Sequence, residues 1–183
     1  MNTQSIALIT LFAALTGVGG WIRIPTPVVP VTLQTFFVYL AGDLLGPRRA
    51  AWSQLVFLAL GLLGVPIFAE GGGLGYVLRP TFGYLASFPA AAWITGKLSE
   101  KISRTDQWQS WIAANAAGSV LIFGVGVFYL LFSVNTFLGK EMSFIQAVWS
   151  GCILFVPGEL VKIVLAAWLA RRLKSLVERS VLC

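Results

Sequence analysis

The chain contains no histidine and only two cysteines, Cys152 and Cys183, among its 183 residues. The absence of histidine excludes histidine-dependent metal sites and Ser-His-Asp triads. One cysteine lies inside an apolar run and the other at the C-terminus, so they predict neither a disulfide framework nor a metal site. The Walker pattern G-x-x-x-x-G-K-[ST] is also missing, and we therefore expect no ATP site of that kind.

Charge is scarce as well, because only 11% of the residues are charged and 57% are hydrophobic. A soluble domain carries about 25% charged residues. The composition therefore predicts an all-α integral membrane protein that forms a single domain over residues 1–183. About 20 residues are needed for each span, which leaves room for five to seven helices. Apolar runs separated by proline and glycine predict six spans, roughly at 4–22, 31–46, 49–68, 80–98, 108–134 and 142–172.

The basic residues are distributed unevenly along this pattern. Nine Lys and Arg residues fall after the second and fourth spans or in the C-terminal tail, and three fall on the opposite side. The positive-inside rule then places both termini in the cytoplasm, and it explains the net charge of +6 without nucleic acid. The first apolar run has no preceding basic residue and no cleavage motif, so we interpret it as a span rather than a signal peptide.

The last predicted span carries two charged residues near its middle, Glu159 and Lys162, which share one helix face. A lone charge at mid-membrane costs at least ~2.5–3.5 kcal/mol on insertion scales. Two interpretations are open: a salt bridge that joins this helix to a neighbour, or a ligand site. In a ligand site the carboxylate would accept hydrogen bonds from N–H groups and the ammonium would donate to a carbonyl oxygen. Pro157 and Gly158 are expected to loosen the helix beside the pair.

A glycine-rich loop at residues 70–75 precedes two further candidates, Arg79 and Tyr84. Arg79 could hold a ligand carboxylate with two hydrogen bonds, or it could pair with Glu70 or a lipid phosphate. Tyr84 could stack on a ligand ring or pack in the core.

Several uncharged polar residues lie within predicted spans. Gln34, flanked by Thr32 and Thr35, either lines a cavity near the outer face or joins helices by hydrogen bonds. The same two interpretations apply to Asn115, which shares a helix face with Ser119. Asp43 is expected to cap its helix or to pair with Arg48 or Arg49.

The first predicted span contains two overlapping pairs of small residues, Thr10/Ala14 and Ala13/Gly17. Such pairs let another helix approach closely. The neighbouring helix belongs either to this chain or to a docking subunit.

The stretches at 27–35, 41–48, 61–68, 71–75, 80–84 and 157–162 together resemble the BioY family, the biotin-binding S components of energy-coupling-factor (ECF) transporters. The resemblance implies a six-helix protein of the cell membrane that captures biotin outside and uses no cofactor. It implies that Glu159 accepts from the ureido N–H groups, that Lys162 donates to the ureido oxygen, and that the loop before the fourth span covers the site.

The resemblance also implies partners, a transmembrane coupling subunit and two ATPases, with Ala13 and Gly17 as the docking candidates. The chain departs from the family pattern in three places: Arg79 and Phe82 replace glycines, Glu159 replaces aspartate, and Leu85 stands where some members have arginine. We therefore expect Arg79 to take the valerate carboxylate. The alternatives are an S component for another small vitamin, an intramembrane enzyme that uses Glu159 as a base, and a structural subunit.

Overall fold

The structure is a computed structural model that describes residues 3–25, 29–102 and 108–182, with only the helical backbone at 102 and 175–182. The described chain is mainly helical: α1 Thr3–Trp21, α2 Gln34–Leu45, α3 Pro47–Leu62, α4 Phe82–Ile102, α5 Trp108–Thr136, α6 Phe144–Gly151 and α7 Val156–Leu182. Two short strands, β1 Arg23–Ile24 and β2 Val31–Thr32, pair antiparallel between α1 and α2.

The helix boundaries differ from the predicted spans where turn-forming residues intervene. The second helix begins at Gln34 rather than near 31, because Val31 and Thr32 pair with β1. The third helix ends at Leu62 rather than near 68. Gly64 follows with a φ of 105°, a left-handed conformation that glycine adopts readily, and the chain turns there.

The last predicted span, 142–172, is broken in the structure. Helix α6 ends at Gly151, a 3-10 turn covers Ile153–Phe155, and α7 begins at Val156. Pro157 accounts for the break, since it has no N–H to donate and its ring would clash with the carbonyl of residue 153 in a continuous helix. The expected loosening beside Glu159 is therefore a complete interruption.

The helices form a bundle with α4 at its centre, packed against α2, α3 and α5. The outer surface of α5 is strongly apolar, and Val120 and Phe128 are 74% and 67% exposed. In the described part of the chain, three helical segments are long and apolar enough to span a membrane: 3–21, 108–136 and the interrupted segment 144–174. An exposed apolar belt of this kind suits hydrocarbon rather than water.

The two ends of the bundle differ in character. One end, called here the lid end, carries the hairpin of β1 and β2, the loop at 63–81 and the turn at 137–143. The opposite end, called here the basic end, carries the α2–α3 junction at Gly46 and the arginines of α7, Arg171 and Arg172. The site described next lies toward the lid end.

The small residues of α1 face two directions. Ala13 is 2% exposed, and a Cβ at the buried Gly17 would lie 3.2 Å from the side chain of Ile67. These two residues therefore pack within the chain, which is one of the two interpretations open from the sequence, and docking of a partner by them stays a prediction. Thr10 and Ala14 lie on the exposed face of the same helix.

Candidate functional site

The two charged residues of α7 form a buried ion pair. The Nζ atom of Lys162 lies 2.5 Å from Oε2 of Glu159, and the residues are only 8% and 3% exposed. Glu159 stands in the first turn of α7, where the positive end of the helix dipole stabilises a carboxylate. The break at 152–155 thus provides this helix start in the middle of the apolar segment.

Helix α2 and strand β2 supply the remaining partners of the pair. Tyr39 donates a short hydrogen bond to Oε1 of Glu159, and Thr35 donates to Oε2 at 3.2 Å. Lys162 donates to the hydroxyl of Thr35 at 2.6 Å and to the carbonyl of Thr32 at 3.1 Å. Thr35 and Tyr39 are four residues apart and share one face of α2, so this face is built to hold the pair.

Tyr84 stabilises the interruption between α6 and α7. Its hydroxyl donates to the carbonyl of Gly151 at 2.8 Å, which satisfies a backbone group freed by the break. The ring passes close to Gly126 and Gly151, and a Cβ at either position would overlap with it. Tyr84 therefore couples the position of α4 to the start of the helix that carries Glu159.

A cavity lined by 16 residues opens beside the ion pair. Its charged lining residues are Glu159 and Lys162, and Thr32, Gln34 and Thr35 add polar groups. The rest of the lining is mostly apolar or aromatic: Val29, Pro30, Ala69, Tyr76, Thr81, Tyr84, Leu85, Phe88, Ile122, Phe123 and Phe155. The site can pair one compact polar group at the ion pair and enclose an apolar body beside it.

The loop at 63–81 closes the lid end of the cavity. The sequence predicted a glycine-rich loop at 70–75, and the structure adds a bridge between Phe68 and Gly71 and a 3-10 turn at Leu74–Leu78. Tyr76, which lines the cavity, is 3% exposed, and burial raises the pKa of its phenol above the ordinary value. The ring is therefore neutral at pH 7 and packs 4.7 Å from the ring of Phe68.

Both sides of the bundle anchor this loop. From α1 and β1, the indole of Trp21 donates to the carbonyl of Pro66 at 3.0 Å, and Arg23 donates to the carbonyl of Ala69. From α5, Tyr129 donates to the carbonyl of Val77, and Ser133 donates to that of Leu78 at 3.0 Å.

Arg79 lies outside the cavity lining, at the surface of the lid end. Its guanidinium pairs with Glu70 at 3.0 Å, and the Arg79 side chain is 52% exposed. The guanidinium carbon also lies 5.8 Å from the ring centroid of Tyr76. The pairing with Glu70 was one of the interpretations left open by the sequence.

The two amide candidates have different positions. Gln34 lines the cavity, accepts from Thr32 at 3.2 Å, and has a buried nitrogen without a hydrogen-bond partner among the described residues. Asn115 does not line the cavity. It is fully buried between helices, where its nitrogen donates to the carbonyl of Ile163 at 3.4 Å. In the structure Asn115 joins helices, which is one of the two interpretations open from the sequence, and its contact with a ligand stays a prediction.

Asp43 is also part of the helix packing. Its carboxylate accepts a 2.5 Å hydrogen bond from Ser99 of α4 and does not pair with Arg48 or Arg49. This correction has a simple cause: Asp43 faces α4, whereas the arginines begin α3 beyond the turn at Gly46.

The comparisons with known proteins agree with this arrangement. A model of the BioY family matches residues 1–179. The chain belongs to the BioY family. It is 41% identical to a probable biotin transporter BioY of Lysinibacillus sphaericus, over 94% of this chain and 87% of that one. It is 39% identical to the biotin transporter BioY of Thermotoga maritima, over 92% of this chain and 95% of that one.

A solved structure is also similar to this BioY protein. It is a crystal structure of the S-component for biotin from an ECF-type ABC transporter, which superimposes with a TM-score of 0.84 at 25% identity. The match covers 96% of this chain and 95% of the other.

Sequence reasoning missed Tyr39, although the spacing held a signal for it. Tyr39 follows Thr35 by four residues, so the two share one helix face, and the structure shows that this face holds Glu159. The apolar lining residues Phe88, Ile122 and Phe155 gave no such signal, since every span is rich in similar side chains.

Proposed function

We propose that this protein is the biotin-binding membrane subunit of an ECF-type uptake transporter. The observation that carries the proposal is the buried Glu159–Lys162 pair at the wall of a lidded cavity, in a chain of the BioY family. The structure offers no comparable set of groups for catalysis among the described residues, and the proposed role is capture of the ligand.

The ureido ring of biotin suits this pair chemically. A carboxylate has about four acceptor positions, and Glu159 uses three of them, for Tyr39, Thr35 and Lys162. One position is left for a ureido N–H. Lys162 has three donors, which contact Glu159, Thr35 and the carbonyl of Thr32. To donate to the ureido oxygen, Lys162 must exchange one of these hydrogen bonds.

The apolar part of the cavity suits the remainder of biotin. Phe88, Ile122 and Phe155 supply surface for a thiolane ring and a methylene chain. Gln34 is proposed as an additional donor, because its buried nitrogen has no partner in the described structure. Tyr84 contributes the edge of its ring and the stability of the adjacent helix start.

Arg79 is proposed to bind the valerate carboxylate at the outer end of the cavity. Its proximity to Tyr76, a lining residue, supports this role. The ligand carboxylate would then compete with Glu70 for the guanidinium. Replacing Arg79 by Ala should weaken binding of biotin but not of biotin methyl ester, and equal affinities of wild type and variant for biotin would disprove the role.

We place the chain in the cell membrane with six spans and both termini in the cytoplasm. The basic end then faces the cytoplasm and the lid end faces outward, in agreement with the positive-inside count. The loop at 63–81 can open toward the side from which biotin arrives, and its hydrogen bonds to α1, β1 and α5 hold it closed.

Energy for uptake is proposed to come from partners, a transmembrane coupling subunit and two ATPases. Of the two small-residue pairs in α1, Thr10 and Ala14 are the docking candidates, because only they lie on the exposed face. Small residues there let a partner helix approach closely.

Equilibrium binding of radiolabelled biotin to the purified protein in detergent tests the function. We expect tight, saturable, one-to-one binding that unlabelled biotin displaces. Absence of binding, or displacement by another vitamin at lower concentration, would overturn the assignment.

A further inference from the structure

A second concave site lies at the basic end, away from the biotin cavity. It is an open groove between the α2–α3 junction and the last turns of α4. The charged residues that line it are Arg48, Arg49, Lys97 and Glu100, and Trp93 and Leu45 contribute apolar surface. The candidate function does not use any of them.

The groove has an excess of positive charge that the described residues do not neutralise. Among them, Arg48, Arg49 and Lys97 make no salt bridge, and Lys97 contacts only the face of Trp93, at 4.5 Å from the ring centroid. Glu100 is the one acidic residue in the lining. Three cations and one carboxylate give the lining a net charge of +2, which favours binding of an anion.

The start of α3 lines the same groove, and the carboxylate of Glu100 lies beside it: a Cβ at Gly46 would lie 2.6 Å from Oε1 of Glu100. Glu100 therefore already faces the positive end of the α3 dipole. The three side-chain cations are the groups of the lining that favour an anion.

The apolar rim identifies the kind of anion. Trp93 is 40% exposed beside Lys97, and indole rings of this kind lie at the membrane–water interface. In the membrane placement proposed above, on which this inference rests, the groove lies at the level of the cytoplasmic headgroups. Basic pockets between helices on that side are suited to anionic lipid headgroups.

We propose that this groove binds the phosphate of one anionic phospholipid from the inner leaflet. Arg48 and Arg49 would contact the phosphate, with Lys97 beside it, and Trp93 would pack along the glycerol and upper acyl region. Binding of the lipid would hold the α2–α3 junction against α4.

Native mass spectrometry of the protein released from nanodiscs of mixed phosphatidylglycerol and phosphatidylcholine tests the proposal. We expect one retained phosphatidylglycerol, and the variant R48Q/R49Q should retain it at least about tenfold less, because the charge-assisted hydrogen bonds to the phosphate are lost. The matched control is R171Q/R172Q, which removes the same charge at the same end outside the groove and should behave as wild type. A second comparison uses two cations that each contact a tryptophan, K97Q in the groove and R172Q outside it.

Equal losses in the two double variants would overturn the proposal in favour of diffuse attraction, as would unchanged retention in R48Q/R49Q. Full displacement of the lipid by millimolar glycerol phosphate would assign the groove to a free phosphate ester instead. If R48Q/R49Q keeps the lipid but fails to co-purify with a coupling subunit, the groove is a protein interface and the proposal is wrong. Binding of labelled biotin, measured on the same samples, should be unchanged in R48Q/R49Q. This measurement separates failure of the lipid proposal from failure of the proposed function.

Discussion

Replacing Lys162 by Met tests whether the buried Glu159–Lys162 pair binds the ligand or only joins helices. The substitution keeps much of the side-chain volume but leaves Glu159 at 3% exposure without its cation. Removing one partner of a buried ion pair typically costs about 3–5 kcal/mol of folding stability. We therefore expect a marked loss of stability in Lys162→Met together with loss of biotin binding.

The double variant Glu159→Gln/Lys162→Met separates the two roles. Replacing both members of a buried pair by neutral groups is often close to neutral for stability. We expect the double variant to recover most of the stability lost in Lys162→Met and to recover no biotin binding. The assays are unfolding in a detergent titration and equilibrium binding of labelled biotin on the same preparations.

Lys140→Met is the matched control, since Lys140 is exposed in the turn at the lid end and no ion pair of it is found in the described structure. It should change neither quantity. A double variant that binds biotin with wild-type affinity would refute the reasoning, because the pair would then be structural. Wild-type stability of Lys162→Met would also refute it, since the carboxylate of Glu159 could not then be deeply buried.

Three further substitutions test the surroundings of the pair. Tyr39→Phe removes the donor to Oε1 of Glu159 and should lower biotin affinity about tenfold or more by calorimetry, because hydrogen bonds to charged groups contribute about 1.5–3 kcal/mol; an unchanged affinity would show that Tyr39 does not position the carboxylate. Tyr84→Phe leaves the carbonyl of Gly151 without its donor and should destabilise the protein by about 1–3 kcal/mol in the same unfolding assay, whereas unaltered stability would mean that the break is satisfied otherwise. Tyr129→Phe releases Val77 in the lid and should speed biotin dissociation in a chase experiment, and an unchanged dissociation rate would argue against anchoring of the lid by α5.

The sequence was sufficient to predict site residues where an unusual side chain also had a helical spacing to a second one. Glu159 and Lys162 stood out because charges are costly in an apolar run, and their spacing placed them on one face. The same reasoning indicated Gln34, which does line the cavity. Asn115 is equally polar and also lies within a span. Its position along the axis of α5 decides which groups it contacts, and that position relative to the cavity depends on how α5 packs against α7.

Other features could be identified only from the three-dimensional packing of the chain. The interruption at 152–155 follows from Pro157, yet only the structure shows that Tyr84 compensates for it from α4. The packing role of Gly17 depends on Ile67, a residue 50 positions away in the chain, and small residues alone do not reveal which neighbour they admit. The pairing of Arg79 with Glu70 likewise depends on the fold of the glycine-rich loop, whose conformation no periodic pattern predicts.

The central claim is that Glu159 and Lys162 recognise the ureido group of biotin. The most direct measurement compares binding of biotin with binding of biotin methylated on both ureido nitrogens, for the wild type and for Glu159→Gln. The wild type should bind the methylated ligand about 10- to 100-fold more weakly, the effect of losing a hydrogen bond to a charged group, and the difference should shrink in the variant. Equal affinity of the wild type for both ligands would contradict the claim.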